Sequence, residues 1–88
     1  MPTISMFFGI IIRMYYGPKE HHPPHIHVYY QDFKATFALD NGELLNGEMP
    51  KRQTRMVQAW MEIHQDELFA DWELCQNGEK PFKIDPLK

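Results

Sequence analysis

The chain has 88 residues, 43% of them hydrophobic and 24% charged, and its net charge is −3 when the histidines are neutral. This size and composition predict one folded domain over residues 1–88 and exclude a disordered chain. No apolar run reaches the ~20 residues of a membrane helix, the run 6–12 lacks the flanks of a signal peptide, and the single cysteine, Cys75, excludes an internal disulfide. We therefore expect a cytoplasmic protein that does not contact a membrane.

Residues 1–49 have the composition of β-strands. The segment 3–16 is rich in β-branched and aromatic residues, and Gly9 inside it indicates either one bent strand or two strands joined at a kink. Gly17-Pro18 ends this segment. Three further strands are predicted, at 25–30, 33–39 and 43–47. The pattern predicts an antiparallel meander of about four strands.

Alternation of apolar and polar residues predicts the register between strands 25–30 and 33–39, with Gln31-Asp32 as the turn. A two-residue loop sets apolar residues opposite one another in three pairs: Tyr30 with Phe33, Val28 with Ala35, and Ile26 with Phe37. The other face then carries His25, His27, Tyr29, Lys34 and Thr36. Asn41-Gly42 is the stronger turn signal and joins the last two strands.

One long helix is predicted at 51–76, within a helical region 50–78. Its apolar positions recur at helical spacing: Val57, Trp60, Met61, His64, Leu68, Trp72 and Cys75. Asn77-Gly78 is a stop signal, and residues 79–88 form an extended apolar tail that can fold back. The fold class is therefore α+β. A sheet covered by one helix leaves apolar surface exposed, which makes a homodimer a candidate assembly.

Histidines are concentrated in the stretch His21-His22-Pro23-Pro24-His25-Ile26-His27. His25 and His27 are two positions apart, so a strand places both on one face. Two imidazoles on one face can bind a transition metal or act as a pair of acid–base groups. The alternative is a polar strand edge whose histidines bond to the neighbouring backbone.

His64 lies in the middle of the apolar helix face, where it should be nearly buried. Glu67 follows it by one turn and Asp71 by two turns. A carboxylate beside an imidazole can fix its tautomer and raise its pKa. The alternative is a core histidine that only satisfies its hydrogen bonds.

Three basic residues, Lys51, Arg52 and Arg55, open the predicted helix, and acidic residues crowd its second half. This order opposes the helix dipole. Together with the free amides of the first turn, the basic residues could bind an anion such as phosphate. The alternative is a solvated face whose charges pair with Glu43, Glu48 or a partner protein.

Tyr29 shares the predicted face of His25 and His27, and Tyr15, Tyr16 and Tyr30 lie near it in the sequence. Aromatic rings and histidines can stack on RNA bases. Only Lys34 adds positive charge to this predicted face, and a net acidic chain does not favour nonspecific nucleic-acid binding. Ordinary surface tyrosines are the alternative.

Three stretches of the chain stand out together: the run Met1-Pro2-Thr3-Ile4-Ser5, the segment Pro23-Pro24-His25-Ile26-His27-Val28, and Trp60 with His64, Glu67, Leu68 and Trp72. They resemble a family of small bacterial proteins, domain of unknown function 4160, over almost the whole chain. Genes of this family often stand beside a gene for another small protein, as in toxin–antitoxin pairs. The resemblance implies a cytoplasmic bacterial protein whose partner is the product of that neighbouring gene, and it implies no reaction.

These residues are compatible with three functions. In the first, which we favour, the protein is a component of a two-gene toxin–antitoxin-like module and its histidine site acts on RNA, with His25, His27 and His64 as acid, base or charge stabilisers. In the second, it binds a divalent transition metal through His25, His27, His64, Glu67 and Asp71. The predicted register makes that site awkward, because it points His25 and His27 away from the helix. In the third, the protein is a non-catalytic module that binds another protein through the charged ends of its helix.

Overall fold

A computed structural model describes residues 2–16 and 23–88 of the chain. These residues form five strands followed by two helices: β1 Thr3–Phe7, β2 Ile10–Arg13, β3 His25–Tyr30, β4 Phe33–Ala38, β5 Leu44–Gly47, α1 Lys51–Ile63 and α2 Gln65–Gln76. The strands form one sheet in the order β1-β2-β3-β4-β5, and each pairs antiparallel with its neighbour. The α+β class and the meander are therefore confirmed. The predicted strand end at Gly17-Pro18, as well as His21 and His22, lies outside the described residues.

The segment 3–16 contains two strands, so the prediction of about four strands is one too low for the described part of the chain. β1 and β2 form a tight hairpin whose central residues, Phe8 and Gly9, both have positive φ, at 50° and 78°. A two-residue hairpin turn of this handedness matches the twist of the paired strands. Gly9 therefore marks a reversal of the chain and not a bend in one strand.

The predicted register between β3 and β4 is confirmed. Tyr30 lies opposite Phe33, Val28 opposite Ala35 and Ile26 opposite Phe37. The Asn41-Gly42 turn is also present, in a loop slightly longer than predicted. The Gly42 amide donates to the Ala38 carbonyl, and the Asn41 side chain accepts from the Glu43 amide.

The prediction of one helix over residues 51–76 is wrong at one residue, because His64 separates α1 from α2. Its backbone, at φ −111° and ψ 27°, departs from helical values. The main-chain bonds from His64 to Trp60 and from Leu68 to His64 are nevertheless retained. Because a new helix begins at Gln65, Asp66 and Glu67 occupy its first turn, where acidic residues are favourable. The predicted conflict with the helix dipole thus remains in α1, at its basic start and at Glu62 in its last turn.

One face of the sheet, which we call the inner face, packs with the helices into the core. Its centre is formed by fully buried side chains: Ile10, Ile12, Ile26, Val28, Phe37, Val57, Trp60 and Leu68. Cys75 packs there as predicted, and burial, with a smaller effect from the charge of Asp71, raises the pKa of its thiol to about 11. A thiol in this state is a packing group and not a nucleophile.

The tail folds back as predicted and forms a strap along the free edge of β1. The Ile84 amide donates to the Ile4 carbonyl at 2.8 Å, and the Trp60 indole N–H donates to the Asp85 carbonyl at 2.8 Å. Pro81 and Ile84 are buried. The strap therefore joins the first strand to the first helix.

Candidate functional site on the open face of the sheet

The opposite side of the sheet, the outer face, carries partly exposed polar and aromatic residues. On β3 they are His25, His27 and Tyr29, which alternate with the buried Ile26 and Val28. Cross-strand pairing puts Arg13 beside His27 from β2 and Thr36 beside His27 from β4. Both predicted histidines are therefore on one face, as their spacing indicated.

Four rings are in contact from this face to helix α2, and we call them the ring row: Tyr15, His27, His25 and Trp72. The ring centroids lie 4.2 Å apart between Tyr15 and His27, 5.1 Å between His27 and His25, and 5.3 Å between His25 and Trp72. Edge-to-face contacts at such distances stabilise aromatic pairs. The ring row restricts the orientation of both imidazoles and brings His25 to the helix layer, which the predicted register did not anticipate.

A backbone contact determines the tautomer of His25. Its Nδ1 lies 2.8 Å from the carbonyl oxygen of Pro23. A carbonyl only accepts, so Nδ1–H is the donor, and the lone pair of the neutral ring is on Nε2. This bond to neighbouring backbone is the one expected for a polar strand edge. It is equally the arrangement that prepares an imidazole to accept a proton at Nε2.

A second group of contacts surrounds Tyr29. The Arg13 guanidinium lies over its ring, 5.2 Å from the centroid, and the hydroxyls of Tyr15 and Tyr29 share a hydrogen bond. Burial is the main cause that raises the pKa of Tyr15, followed by the bond to Tyr29, while Arg13 opposes the shift. The Tyr15 hydroxyl therefore keeps its proton at ordinary pH.

The charge on the sheet differs from the charge of the whole chain. None of the five strands in the described residues contains an aspartate or a glutamate, whereas Arg13 and Lys34 are strand residues. Arg13 is a second cation that sequence reasoning missed on this face. The outer face can therefore attract anions although the net charge of the chain is −3.

A depression of about 250 Å³ lies beside the ring row, between β3, β4 and β5. We call it the β4–β5 pocket, and its lining includes His27, Tyr29, Lys34, Thr36, Asn46 and Gly47. It is open to solvent on one side. Asn46 and Gly47 were not singled out from the sequence, because the short strand β5 gives no pattern of its own.

His64 has a different setting from the other two candidate catalytic histidines. Its Nδ1 lies 2.5 Å from a carboxylate oxygen of Glu67, and its ring lies 5.5 Å from that of Trp60. The predicted carboxylate–imidazole contact is present in this pair. The His64 side chain is 14% exposed, as a nearly buried position requires.

Asp71, also a candidate ligand, anchors the strap. One of its carboxylate oxygens accepts a hydrogen bond from the Phe82 amide at 2.9 Å. The other is buried without a hydrogen-bond partner among the described residues. Burial raises the pKa of Asp71, the Phe82 amide opposes this, and the charge of Glu67 adds to it. Asp71 thus has a structural role.

The five predicted metal ligands, His25, His27, His64, Glu67 and Asp71, are divided between these settings. Within residues 2–16 and 23–88, no three histidine, cysteine, aspartate or glutamate side chains come together in a way that could hold a metal ion. The second function therefore gains no support from the described part of the chain.

Lys51 and Arg52 form the start of α1, and Arg55 follows one turn later. All three are exposed, and none pairs with Glu43 or Glu48. Pro50 occupies the N-cap position before this helix and provides no side-chain hydrogen bond to it. A phosphate-binding role for these residues remains a prediction.

Comparison with known proteins identifies the family of the chain. No curated protein and no solved structure matches the chain. No helix in the described residues is long and apolar enough to cross a membrane. The model of one family, Domain of unknown function (DUF4160), matches residues 9–73. This match spans the chain from the first hairpin into α2, including the histidines and the β4–β5 pocket, so the protein belongs to the DUF4160 family.

Proposed function

We propose that this protein acts on RNA through the outer face of its sheet, as one component of a two-gene toxin–antitoxin-like module. The observation that carries the proposal is the pair of imidazoles, His25 and His27, whose ring centroids lie 5.1 Å apart beside two cations on a face without acidic strand residues. The module follows from the family resemblance.

Binding of single-stranded RNA is supported by the kinds of side chain on this face. Exposed aromatic rings on a sheet can stack on unpaired bases, while cations contact the phosphates. Tyr29 supplies a ring, and Arg13 and Lys34 supply the charges. The acidic residues of α1 and α2 are not part of these strands.

Cleavage is supported by the tautomer of His25. In metal-free RNA cleavage, a base takes the proton of the 2′-hydroxyl and the 2′-oxygen attacks the adjacent phosphorus. The bond from phosphorus to the 5′-oxygen then breaks, and an acid gives that oxygen a proton. His25 Nε2 is suited to be the base and protonated His27 to be the acid. The products are a 2′,3′-cyclic phosphate and a free 5′-hydroxyl.

The test is cleavage of fluorescent single-stranded RNA by the purified protein and by a His25→Ala/His27→Ala variant. We expect the double variant to lose at least a hundredfold in rate, since each acid–base group typically contributes about 10²–10⁴-fold. His64→Ala is the matched control, because it removes an imidazole from the other setting. Retained cleavage in the double variant would refute the assignment, and loss only in His64→Ala would move the chemistry to the His64–Glu67 pair.

A binding assay with the same RNA separates cleavage from recognition. RNA that is bound but never cleaved would identify a non-catalytic binding module. The module itself is tested by co-expression with the neighbouring gene. We expect growth arrest when this protein is expressed alone, relief of the arrest by the neighbour, and a complex of the two proteins. Absence of both arrest and complex would remove the module from the proposal.

A further inference from the structure

The β4–β5 pocket is formed by side chains and backbone from three adjacent strands. Thr36 of β4 is the cross-strand partner of both His27 and Asn46. Arg13 is in turn the partner of His27 on β2. One line of cross-strand neighbours therefore crosses the sheet, in the order Arg13, His27, Thr36 and Asn46. Because neighbouring strands lie about 4.8 Å apart, Thr36 is one strand spacing from His27 and Asn46 is two, so the pocket adjoins the histidine pair.

The chemistry of the pocket matches a nucleobase better than a simple anion. Tyr29 supplies an aromatic wall. The hydroxyl of Thr36 and the amide of Asn46 can each donate and accept hydrogen bonds, as the edge of a base requires. Lys34 is the single lysine or arginine of the lining. A phosphate site would use several cations or backbone amides. The groups present here instead suit a base whose phosphate lies outside the pocket: the ring of Tyr29, the two side chains that both donate and accept, and Lys34.

Gly47 makes room for the pocket. It has a φ of +85°, and a Cβ atom there would lie 2.2 Å from the Lys34 carbonyl oxygen. Only glycine allows β4 and β5 to approach so closely next to the bulge between Thr36 and Phe37. The floor of the pocket is therefore backbone.

Tyr29 contacts Arg13 and also lines the β4–β5 pocket. Arg13 contacts its ring from β2, while the pocket lies toward β4 and β5, on the other side of strand β3. A base in the pocket can thus pack against Tyr29 without displacing Arg13. Arg13 remains available for the phosphate of a neighbouring nucleotide.

We propose that the β4–β5 pocket binds one base of the RNA and sets the base preference of the protein, with Thr36 and Asn46 reading the edge of that base. This inference deepens the proposed function and rests on it for the identity of the polymer. The pocket itself is a nucleotide site, which can be tested without an RNA chain.

The experiment follows backbone and side-chain amide resonances of the ¹⁵N-labelled protein during titration with AMP, CMP, GMP and UMP in turn, and with inorganic phosphate. We expect one or two of the nucleotides to shift the resonances of Thr36, Asn46 and Gly47 in a saturable way. Asn46→Ala should weaken that nucleotide at least tenfold, and Thr36→Val should weaken it while preserving side-chain shape. Asn77→Ala, an exposed position after α2, is the matched control and should change nothing.

The outcomes separate the two proposals. Three results would each overturn base recognition: equal shifts with all four nucleotides, the same shifts with phosphate alone, or no shifts at the pocket. This holds whether or not the protein binds or cleaves RNA. Selective nucleotide binding together with failure to bind or cleave any single-stranded RNA would refute the proposed function and leave a mononucleotide site. If Asn46→Ala changes the spectrum of the whole protein, Thr36→Val alone decides the role of the side chains.

Discussion

The two faces of strand β3 differ in what their residues do, although the residues alternate along the same six positions. Ile26 and Val28 are 0% exposed on the inner face, while His25, His27 and Tyr29 are partly exposed on the outer face. The inner residues are held by packing, which tolerates little change. The outer residues contact one another and solvent. Buried apolar residues and partly exposed polar or aromatic residues thus alternate along one strand.

The largest expected effect comes from substituting neighbours on these two faces. Ile26→Ala should lower the free energy of unfolding by about 2–5 kcal/mol, because it leaves a cavity in the core. His27→Ala removes two edge-to-face ring contacts, with Tyr15 and with His25, and should cost only about 1–2 kcal/mol. Urea unfolding of both variants measures the difference. Equal losses would mean that the outer face is part of the core.

Gly47 tests whether the outer face also contains a rigid element. Gly47→Ala should lower the free energy of unfolding by about 2–4 kcal/mol, through left-handed backbone strain and overlap with the Lys34 carbonyl. Gly78→Ala is the control, since Gly78 has a similar φ of +77° and no atoms within 4 Å of an added Cβ. Thermal unfolding of the two variants should place Gly47→Ala well below Gly78→Ala. Equal melting temperatures of the two variants would show that β5 shifts to accommodate the added methyl group.

Asp71 is a buried carboxyl group and is only 2% exposed. Asp71→Ala should cost about 1–2 kcal/mol because the Phe82 amide loses its acceptor. Asp71→Asn keeps an acceptor and removes the buried charge, so it should be more stable than the parent at neutral pH.

The pH dependence of Asp71 has a definite sign. Burial raises the pKa of the folded-state carboxyl above its ordinary value of 3.8, so the folded state binds the proton more tightly than the unfolded state. The contribution of Asp71 to stability is therefore fully present below the unfolded pKa and is lost as pH rises through the folded pKa. Unfolding of the parent and Asp71→Asn at pH 4 and pH 7 should show a larger advantage of asparagine at pH 7 than at pH 4. An advantage that grows toward pH 4 would reverse this assignment.

The smallest expected change in stability is at the turn of the β1–β2 hairpin, which belongs to neither face of the sheet. Phe8 has a φ of 50° and is 61% exposed, a poor position for a bulky apolar side chain. Phe8→Asn should raise the free energy of unfolding by up to about 1 kcal/mol, since asparagine adopts this conformation more readily. A loss of stability would show that the contact of Phe8 with Phe7 outweighs the backbone strain.

The register of β3 and β4 could be predicted because a shift of one residue would bury His27 and Lys34 and expose Val28 and Ala35. The reversal at Phe8-Gly9 could not, because apolar residues continue across the turn and phenylalanine is not a turn residue. The break at His64 carries no proline or glycine, so the local sequence contains no reason for a helix to end there.

The candidate site was predictable in part for the same reason. Spacing alone placed His25, His27 and Tyr29 together, because a strand has a strict period of two. Arg13 and Tyr15 could be assigned to the same face only after the segment 3–16 was known to contain two strands. The β4–β5 pocket depends on a bulge and on Gly47, which are features of tertiary structure.

The strap also has a consequence for the order of folding. All sheet contacts join strands that are neighbours in the sequence, which favours rapid formation. The bond between Ile84 and Ile4 instead connects opposite ends of the chain. We expect it to form late in folding, because closing so long a loop costs more chain entropy than pairing adjacent strands. We therefore expect the Ile84 amide to exchange with deuterium through local opening, well before the amides of the central strands. Such opening would uncover the edge of β1 for short periods while the rest of the sheet stays folded.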